Sequence, residues 1–206
     1  MHDSVNIHQL SYDLDQIYRD CWHRLVNGVQ SAKHAFHTAA IASMHGTFPE
    51  IRTVVLRKVL PEQRQLIFHT DVRSPKIKQL QDNPALSWLF YDEKAKIQLR
   101  VKSRATLHHL NALSQSRWNE SRLQSRVCYR VEPGPSLEST TATDGLPATF
   151  DRNMLTETTL AAGYENFVVV ACEVVEIDWL FLNYEGHRRA RFVCSENGLD
   201  KHWLVP

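Results

Sequence analysis

The chain has 206 residues, of which 43% are hydrophobic, and it carries 24 lysines and arginines against 23 acidic residues. This length predicts one domain over residues 1–206, and a net charge of +1 gives no general attraction to nucleic acid or to a membrane. The N-terminus has no signal-peptide pattern and no apolar run is long enough to span a bilayer, so we expect a cytoplasmic protein.

The first predicted element is an amphipathic helix. From Asp13 to Val29 apolar residues recur every three or four positions, and this helix would make residues 1–30 an N-terminal helical segment. Beyond it, short runs rich in β-branched and aromatic residues alternate with turn residues, which predicts consecutive antiparallel strands. These runs are Phe36–Met44, Arg52–Leu60 and Leu66–Thr70, with turns at 45–49 and 61–63.

A short helix at Ser74–Gln81 interrupts the strands, and a second is expected at Leu110–Gln124. Residues 132–147 are rich in Pro, Gly, Ser and Thr and predict a loop whose length points to a function or an interface. A further helix is predicted at Asn153–Ala162. The remaining β segments are Ala85–Tyr91, Lys96–Leu107, Phe167–Ile177, Trp179–Leu182, Arg188–Cys194 and Lys201–Val205.

Short strands with helical insertions favour a closed or half-closed antiparallel barrel over a doubly wound parallel sheet. The predicted fold class is therefore mainly β with α insertions. The four cysteines lack the paired spacing of zinc or thiol redox motifs, so we expect them to be reduced. The eleven histidines show no HExxH pattern, and we predict no metal site.

The junction between a strand and a helix at residues 68–76 is the most informative segment. Ser74 is a favoured N-cap, Pro75 fits the first helical position, and Lys76 falls in the first turn. Arg73 and Lys76 beside free backbone N–H groups are unfavourable unless an anion lies among them. The pattern predicts a phosphate site; alternatively both cations extend into water, at a cost of about 0.3–1 kcal/mol.

Arg52 and Arg57 flank the preceding strand segment. Because strand side chains alternate between faces, residues five apart should point in opposite directions. One arginine could then join the anion site while the other addresses the opposite side or a partner subunit, and only a bulge would bring them together. The alternative is a pair of exposed strand cations.

Together these segments resemble the FMN-binding split barrels of the pyridoxamine 5′-phosphate oxidase family, over most of residues 35–206. Arg52–Arg57 resembles the family's strand along the flavin, with Arg57 where a lysine is usual. His69 and Thr70 stand where the family has an aromatic residue and a threonine. Arg73–Lys76 resembles the form found in a divergent, cyanobacterial-type branch of oxidase-related FMN-binding proteins.

Two later segments extend the resemblance. Ile97–Val101 is similar to the family's Arg-Gln-Val strand, which makes Gln98 a flavin-ring partner, although a cross-strand polar contact is the alternative. Trp179 and Arg191 resemble the aromatic residue and arginine that approach the flavin from the neighbouring subunit, although Trp179 could also be ordinary packing. The resemblance implies a homodimer with FMN at the subunit interface. The implied cofactor-binding residues are Arg52, Thr53, Val54, Leu56, Arg57, His69, Thr70, Arg73, Ser74, Lys76, Gln98, Trp179 and Arg191.

The substrate-binding pattern departs from the family. His187–Arg189 exchanges the expected arginine and histidine, and Arg126 replaces a serine, whereas Arg122 fits the family's substrate-phosphate arginine. We expect Arg57, Arg122, Arg126 and Arg189 to bind a phosphate or another anion, and Arg189 or Arg191 to act in catalysis.

The resemblance implies an FMN-dependent oxidoreductase that transfers hydride from a small substrate, of which pyridoxamine or pyridoxine phosphate is the best-known candidate. One alternative is a flavin-binding protein without turnover. Another is a haem-handling split barrel that uses histidines.

Overall fold

The computed structural model describes residues 4–7, 10–196 and 198–206. Antiparallel strands dominate, as the sequence predicts, and most of them join one nine-stranded sheet in the order β11-β10-β9-β8-β7-β3-β4, with β5 and β6 branching from β9. The strands are β1 (Val5–Ile7), β2 (Leu10–Tyr12), β3 (Thr38–His45), β4 (Phe48–Val55), β5 (Lys58–Leu60), β6 (Gln65–Asp71), β7 (Ala85–Asp92), β8 (Ile97–His109), β9 (Phe167–Phe181), β10 (Arg188–Ser195) and β11 (Gly198–Leu204).

Strand β9 organises the sheet. It pairs with β8 along most of its length, while its first half also pairs with β6 and its second half with β10. The sequence predicted two segments here, separated at Asp178, but β9 is continuous. Asp178 stays in the strand because Arg100 and Arg189 donate hydrogen bonds to its carboxylate from β8 and β10.

The helices are short apart from the first. α1 begins after a capping box formed by Asp13 and Gln16 and packs Ile17, Cys21 and Leu25 against the sheet core. The amphipathic helix is thus confirmed. Its segment is not wholly helical, however, because β1 and β2 precede it as a small hairpin. The helices are α1 (Leu14–Gln30), α2 (Pro75–Asp82), α3 (Ala112–Glu120), α4 (Leu123–Arg126) and α5 (Glu157–Leu160), with 3₁₀ turns at Ala35–His37, Pro61–Gln63, Val127–Arg130 and Ala161–Asn166.

The expected strand Arg52–Leu60 is broken near Leu56. The backbone N–H of Leu56 donates to the carbonyl of His37, whereas the backbone N–H of Arg57 donates to the carbonyl of Ile67 in β6. The chain changes its partner strand at this point, so β4 ends and β5 begins. The expected helix at Leu110–Gln124 is also divided, at Ser121, where the backbone is extended.

Residues 131–156 contain no helix or strand, in agreement with the predicted loop at 132–147. The segment is nevertheless attached to the body of the fold. The carbonyl of Val131 accepts a hydrogen bond from Arg73, and Leu146 and Phe150 pack on a second apolar cluster that includes Trp118 and Phe167. Of the helix predicted at Asn153–Ala162, only α5 forms as α-helix.

Over the ranges that the structure describes, no helix is long and apolar enough to cross a membrane. The four cysteines are free, with Cys21 and Cys172 buried and Cys128 exposed.

Candidate functional site

The corner between β6 and α2 holds a lysine away from carboxylates. The Lys76 ammonium donates hydrogen bonds to the hydroxyls of Thr70, at 3.0 Å, and Ser74, at 2.6 Å. Ser74 occupies the N-cap position and Pro75 begins the helix, as expected, but the Ser74 hydroxyl makes no capping bond and serves Lys76 instead. Among the residues described, no carboxylate lies within ion-pair distance of Lys76.

The electrostatics of this corner favour an added anion. Burial lowers the pKa of Lys76, and the nearby positive charge of Arg52 lowers it further. Both effects oppose the charged form of the lysine. The negative charge of Asp71 acts in the opposite direction but does not outweigh them, and a phosphate beside Lys76 would add a negative charge in direct contact with the ammonium.

Arg52 is fixed next to Lys76 by a polar network that the sequence did not reveal. Its guanidinium donates to the hydroxyl of Ser43 and to Oε1 of Gln79, and it pairs with Glu50 at 2.8 Å. Ser43 and Gln79 are buried, and Ser43 donates its own hydrogen to Gln79 at 2.6 Å. Arg52 therefore has a single well-defined position on the corner side of β4.

Arg73 has a different role from the one expected. It binds both carboxylate oxygens of Asp71, at 2.9 and 2.6 Å, and donates to the Val131 carbonyl at 3.0 Å. Asp71 is buried, so Arg73 neutralises an internal carboxylate and attaches the 131–156 segment. The hydrogen bonds that Arg73 donates to Asp71 also raise the pKa of Arg73. Its charge is therefore not free for a phosphate.

Strand β4 can contact a ligand mainly through its backbone groups rather than through its side chains. Val54 and Leu56 are buried in the core, and Thr53 is exposed. In the part of the sheet that the structure describes, β4 pairs only with β3, so the N–H and C=O groups along its other edge can meet a ligand. Of the residues predicted along this strand, Val54 and Leu56 could contact a cofactor only through their main chain.

A second group of cations lines a cleft of about 410 Å³ on the other side of the β4–β5 junction. Arg57 and Arg122 line this cleft, together with His69 and with Arg117 from α3, which the sequence did not single out. Arg52 and Arg57 thus belong to different sites, and the strand break between them, rather than alternation along one strand, separates them. We call this group the arginine cleft; the residues used below are Arg57, His69, Arg117, Glu120 and Arg122.

The imidazole of His69 is unusual. It packs edge-on against Phe167, with ring centroids 4.8 Å apart, and its Nε2 is buried without a hydrogen-bond partner. Burial lowers the pKa of His69 to about 3, and the charges of Arg57 and Arg117 add to the effect. His69 is therefore a neutral hydrogen-bonding group between two cations.

Arg189 and Arg191 lie on the outer face of the sheet, in a separate cleft of about 460 Å³. Arg189 binds Asp178 at 3.1 and 2.7 Å, whereas the buried Nε of Arg191 has no partner. Burial acts to raise the pKa of Asp178, but hydrogen bonds from Arg189 and Arg100 outweigh it and hold this pKa below its ordinary value. Within one chain, these two arginines are not in the cleft that holds Arg57.

Two other residues that the resemblance assigned to the cofactor lie on β8 and β9. Gln98 is half-buried and points to the outer face of β8, opposite to the buried Ile97 and Leu99. Trp179 is only 1% exposed and stacks on Phe181 in the core, so we leave it out of the proposed cofactor contacts. Its assignment fails because the outward side of β9 at this point belongs to Asp178.

Arg126 is not available to a substrate. It is 1% exposed, donates to the carbonyls of Ser121 and Asn119, pairs with Glu157, and lies 5.0 Å from the Trp118 ring centroid. The guanidinium is thus a buried connector between α3, α4 and α5. Its replacement of a serine in the family pattern reflects this packing role.

Comparisons with known proteins confirm the predicted fold and match part of the chain to the predicted family's FMN-binding domain. Residues 18–109 match the family model for the FMN-binding domain of pyridoxamine 5′-phosphate oxidase. A pyridoxamine 5′-phosphate oxidase-related, FMN-binding protein from Nostoc punctiforme superposes with a TM-score of 0.71 and 21% identity, over 91% of this chain and 96% of that one. PhzG from Burkholderia lata, in complex with tetrahydrophenazine-1-carboxylic acid, superposes with a TM-score of 0.67 and 17% identity, over 91% of this chain and 92% of that one. No curated protein sequence matches the chain.

The low pKa of His69 predicts a measurable dependence of stability on pH. The unfolded imidazole binds a proton below about pH 6.5, whereas the folded one does so only near pH 3, so acidification through this window favours unfolding. Between pH 7.5 and pH 5, His69 should cost the wild type about 2 kcal/mol of unfolding free energy that a His69→Gln variant does not lose. Urea unfolding of both proteins at the two pH values measures this difference. An equal loss in both proteins would show that His69 protonates as an exposed histidine does.

Proposed function

Because residues 18–109 carry the FMN-binding domain of the pyridoxamine 5′-phosphate oxidase family, we propose that the chain is an FMN-dependent oxidoreductase acting on a small anionic substrate. The observation that carries this proposal is the Lys76 corner, where a partly buried ammonium is surrounded by hydroxyls and a second cation. We further propose that the active form is a homodimer.

The corner suits the phosphate of FMN. Lys76 and Arg52 supply two positive charges, and Thr70 and Ser74 supply hydroxyl donors. The first turn of α2 adds the backbone N–H of Lys76, since Pro75 has no N–H and that of Ile77 bonds to the Ser74 carbonyl. Arg73 supports this site indirectly, because it keeps the Asp71 carboxylate from pairing with Lys76.

The open edge of β4 runs from this corner towards the arginine cleft, so its backbone groups can bind the remainder of the cofactor. When bound, FMN would accept a hydride from the substrate. His69, neutral and with a free Nε2, would offer a hydrogen bond without adding charge.

Arg57 and Arg122 would hold the anionic end of the substrate. Neither makes an ion pair or a side-chain hydrogen bond with another described residue, so their donors are available. A carboxylate or phosphate can accept bidentate bonds from a guanidinium. The Burkholderia relative with this fold was crystallised with a carboxylic acid, which supports an anionic substrate here.

Dimerisation would bring Arg189 and Arg191 to a site built by the other subunit. The cleft that contains them is bordered by Ile51 and Leu89, and Ile51 is 71% exposed. A large apolar side chain exposed beside unpartnered arginine donors is typical of a surface that another chain covers. We propose that a second copy covers it and that Arg191 completes the partner's cofactor site.

Lys76→Ala should weaken FMN binding by about tenfold or more, because a charge-assisted phosphate contact is lost from a partly desolvated site. Fluorescence titration of the flavin-free protein with FMN measures this change. Lys78→Ala is the matched control, since Lys78 lies on the same helix, is exposed and pairs with Asp82. Equal affinities of the two variants would remove Lys76 from the phosphate site.

Turnover is tested by anaerobic mixing of the FMN-loaded protein with small amines that carry a phosphate or a carboxylate. A productive substrate bleaches the flavin absorbance, and Arg57→Gln should slow this bleaching at limiting substrate by about tenfold. Stable flavin absorbance with all candidates would instead favour a flavin-binding protein without turnover.

The wild-type protein should sediment as a dimer, and Ile51→Glu should shift it towards monomer because a charge would be buried against the partner. Gln115→Glu adds the same charge at an exposed position on α3, outside the cleft that contains Arg189 and Arg191, and serves as the comparison. A monomeric wild type would contradict the dimer.

A further inference from the structure

We infer that Arg117 is the third anion-binding side chain of the arginine cleft and makes the cleft prefer ligands with two negative charges over ligands with one. This inference rests on the proposed function for the role of the cleft as the substrate site.

The charges that line the cleft are not balanced. Arg57, Arg117 and Arg122 contribute three positive charges, and Glu120 is the only carboxylate among the described lining residues. His69 adds no charge at neutral pH, since burial and the two neighbouring guanidiniums lower its pKa to about 3. The surplus of positive charge equals the charge of a phosphate monoester or a dicarboxylate.

Arg117 is the most desolvated of the three cations. Its side chain is 16% exposed, whereas Arg57 and Arg122 are exposed residues. Charges interact more strongly where water is excluded, so an anion gains more from Arg117 than from either exposed arginine. The Nε of Arg117 is also buried and has no hydrogen-bond partner.

The pairing of Arg117 with Glu120 leaves room for a ligand. The two groups lie three residues apart on α3 at 2.8 Å, and Glu120 is exposed to water. Because Glu120 is exposed, its carboxylate can leave Arg117 and remain hydrated, and helical pairs three residues apart contribute only tenths of a kcal/mol, so a bound anion can take its place at low cost. Glu120 then competes with a bound anion for the Arg117 guanidinium. Loss of Arg117 should therefore weaken dianion binding, whereas loss of the Glu120 charge should strengthen it.

The test compares anions that differ mainly in charge, with the FMN-loaded protein at pH 8 and constant ionic strength. Inorganic phosphate is compared with dimethyl phosphate, and malonate with acetate, by isothermal titration calorimetry. The wild type should bind at least one of the two dianions about tenfold more tightly than its monoanionic partner. The pair with the larger difference identifies a phosphate or a dicarboxylate as the preferred chemistry.

Arg117→Gln should abolish most of this preference, Arg117→Lys should retain part of it, and Glu120→Gln should increase dianion affinity. Because Glu120 is exposed, the last variant tests the inference even if Arg117→Gln folds poorly. Arg104→Gln is the control, since Arg104 is exposed on β8 and lies outside the cleft.

An unchanged dianion preference in Arg117→Gln, or a weaker one in Glu120→Gln, would overturn the inference. FMN content and flavin bleaching are measured on the same samples, so failure of the proposed function is recognised separately. If the chain retains no FMN, the titrations are made in a Lys76→Ala background, which removes the other anion site; dianion binding that disappears in that background also overturns the inference.

Discussion

The proposed cofactor site depends on a partly buried ammonium group that makes no ion pair with any described residue. Lys76 has two hydroxyl partners, and its positive neighbour Arg52 is held in place by Ser43 and Gln79. Desolvation and like charge both act against such an arrangement, and a bound phosphate relieves both. The helix that starts at Pro75 adds the backbone N–H of Lys76, so the fold brings several anion-binding groups together at the end of β6.

Pairing separates the cations that support the fold from those that are available to ligands. Arg73 and Arg126 are surrounded by acceptors of their own chain, namely Asp71, Glu157 and backbone carbonyls, and they connect loops and short helices. Arg57 and Arg122 have no such partners among the described residues. The cleft that holds this second group includes the β4–β5 junction, where the pairing partner of the chain changes from β3 to β6.

The sequence predicted what local patterns determine. The alternation of apolar and polar residues, together with the turn residues, predicted most of the strands. The sequence Ser74-Pro75-Lys76 predicted the start of α2 to within one residue. The roles of Arg126 and Trp179 depend on residues far away in sequence, such as Glu157 and the neighbouring strands, which no local pattern contains. Arg73 was misread because the turn brings Asp71 back onto its guanidinium, although the spacing of two residues could have suggested that pair.

A crystal structure of the protein grown with FMN would locate the phosphate directly. Its oxygens should lie within hydrogen-bond distance of the Lys76 ammonium and of the Thr70 and Ser74 hydroxyls, while Arg73 remains paired with Asp71. A flavin phosphate bound elsewhere, or a Lys76 ammonium that keeps only its two hydroxyl partners in the presence of bound FMN, would contradict the proposed site.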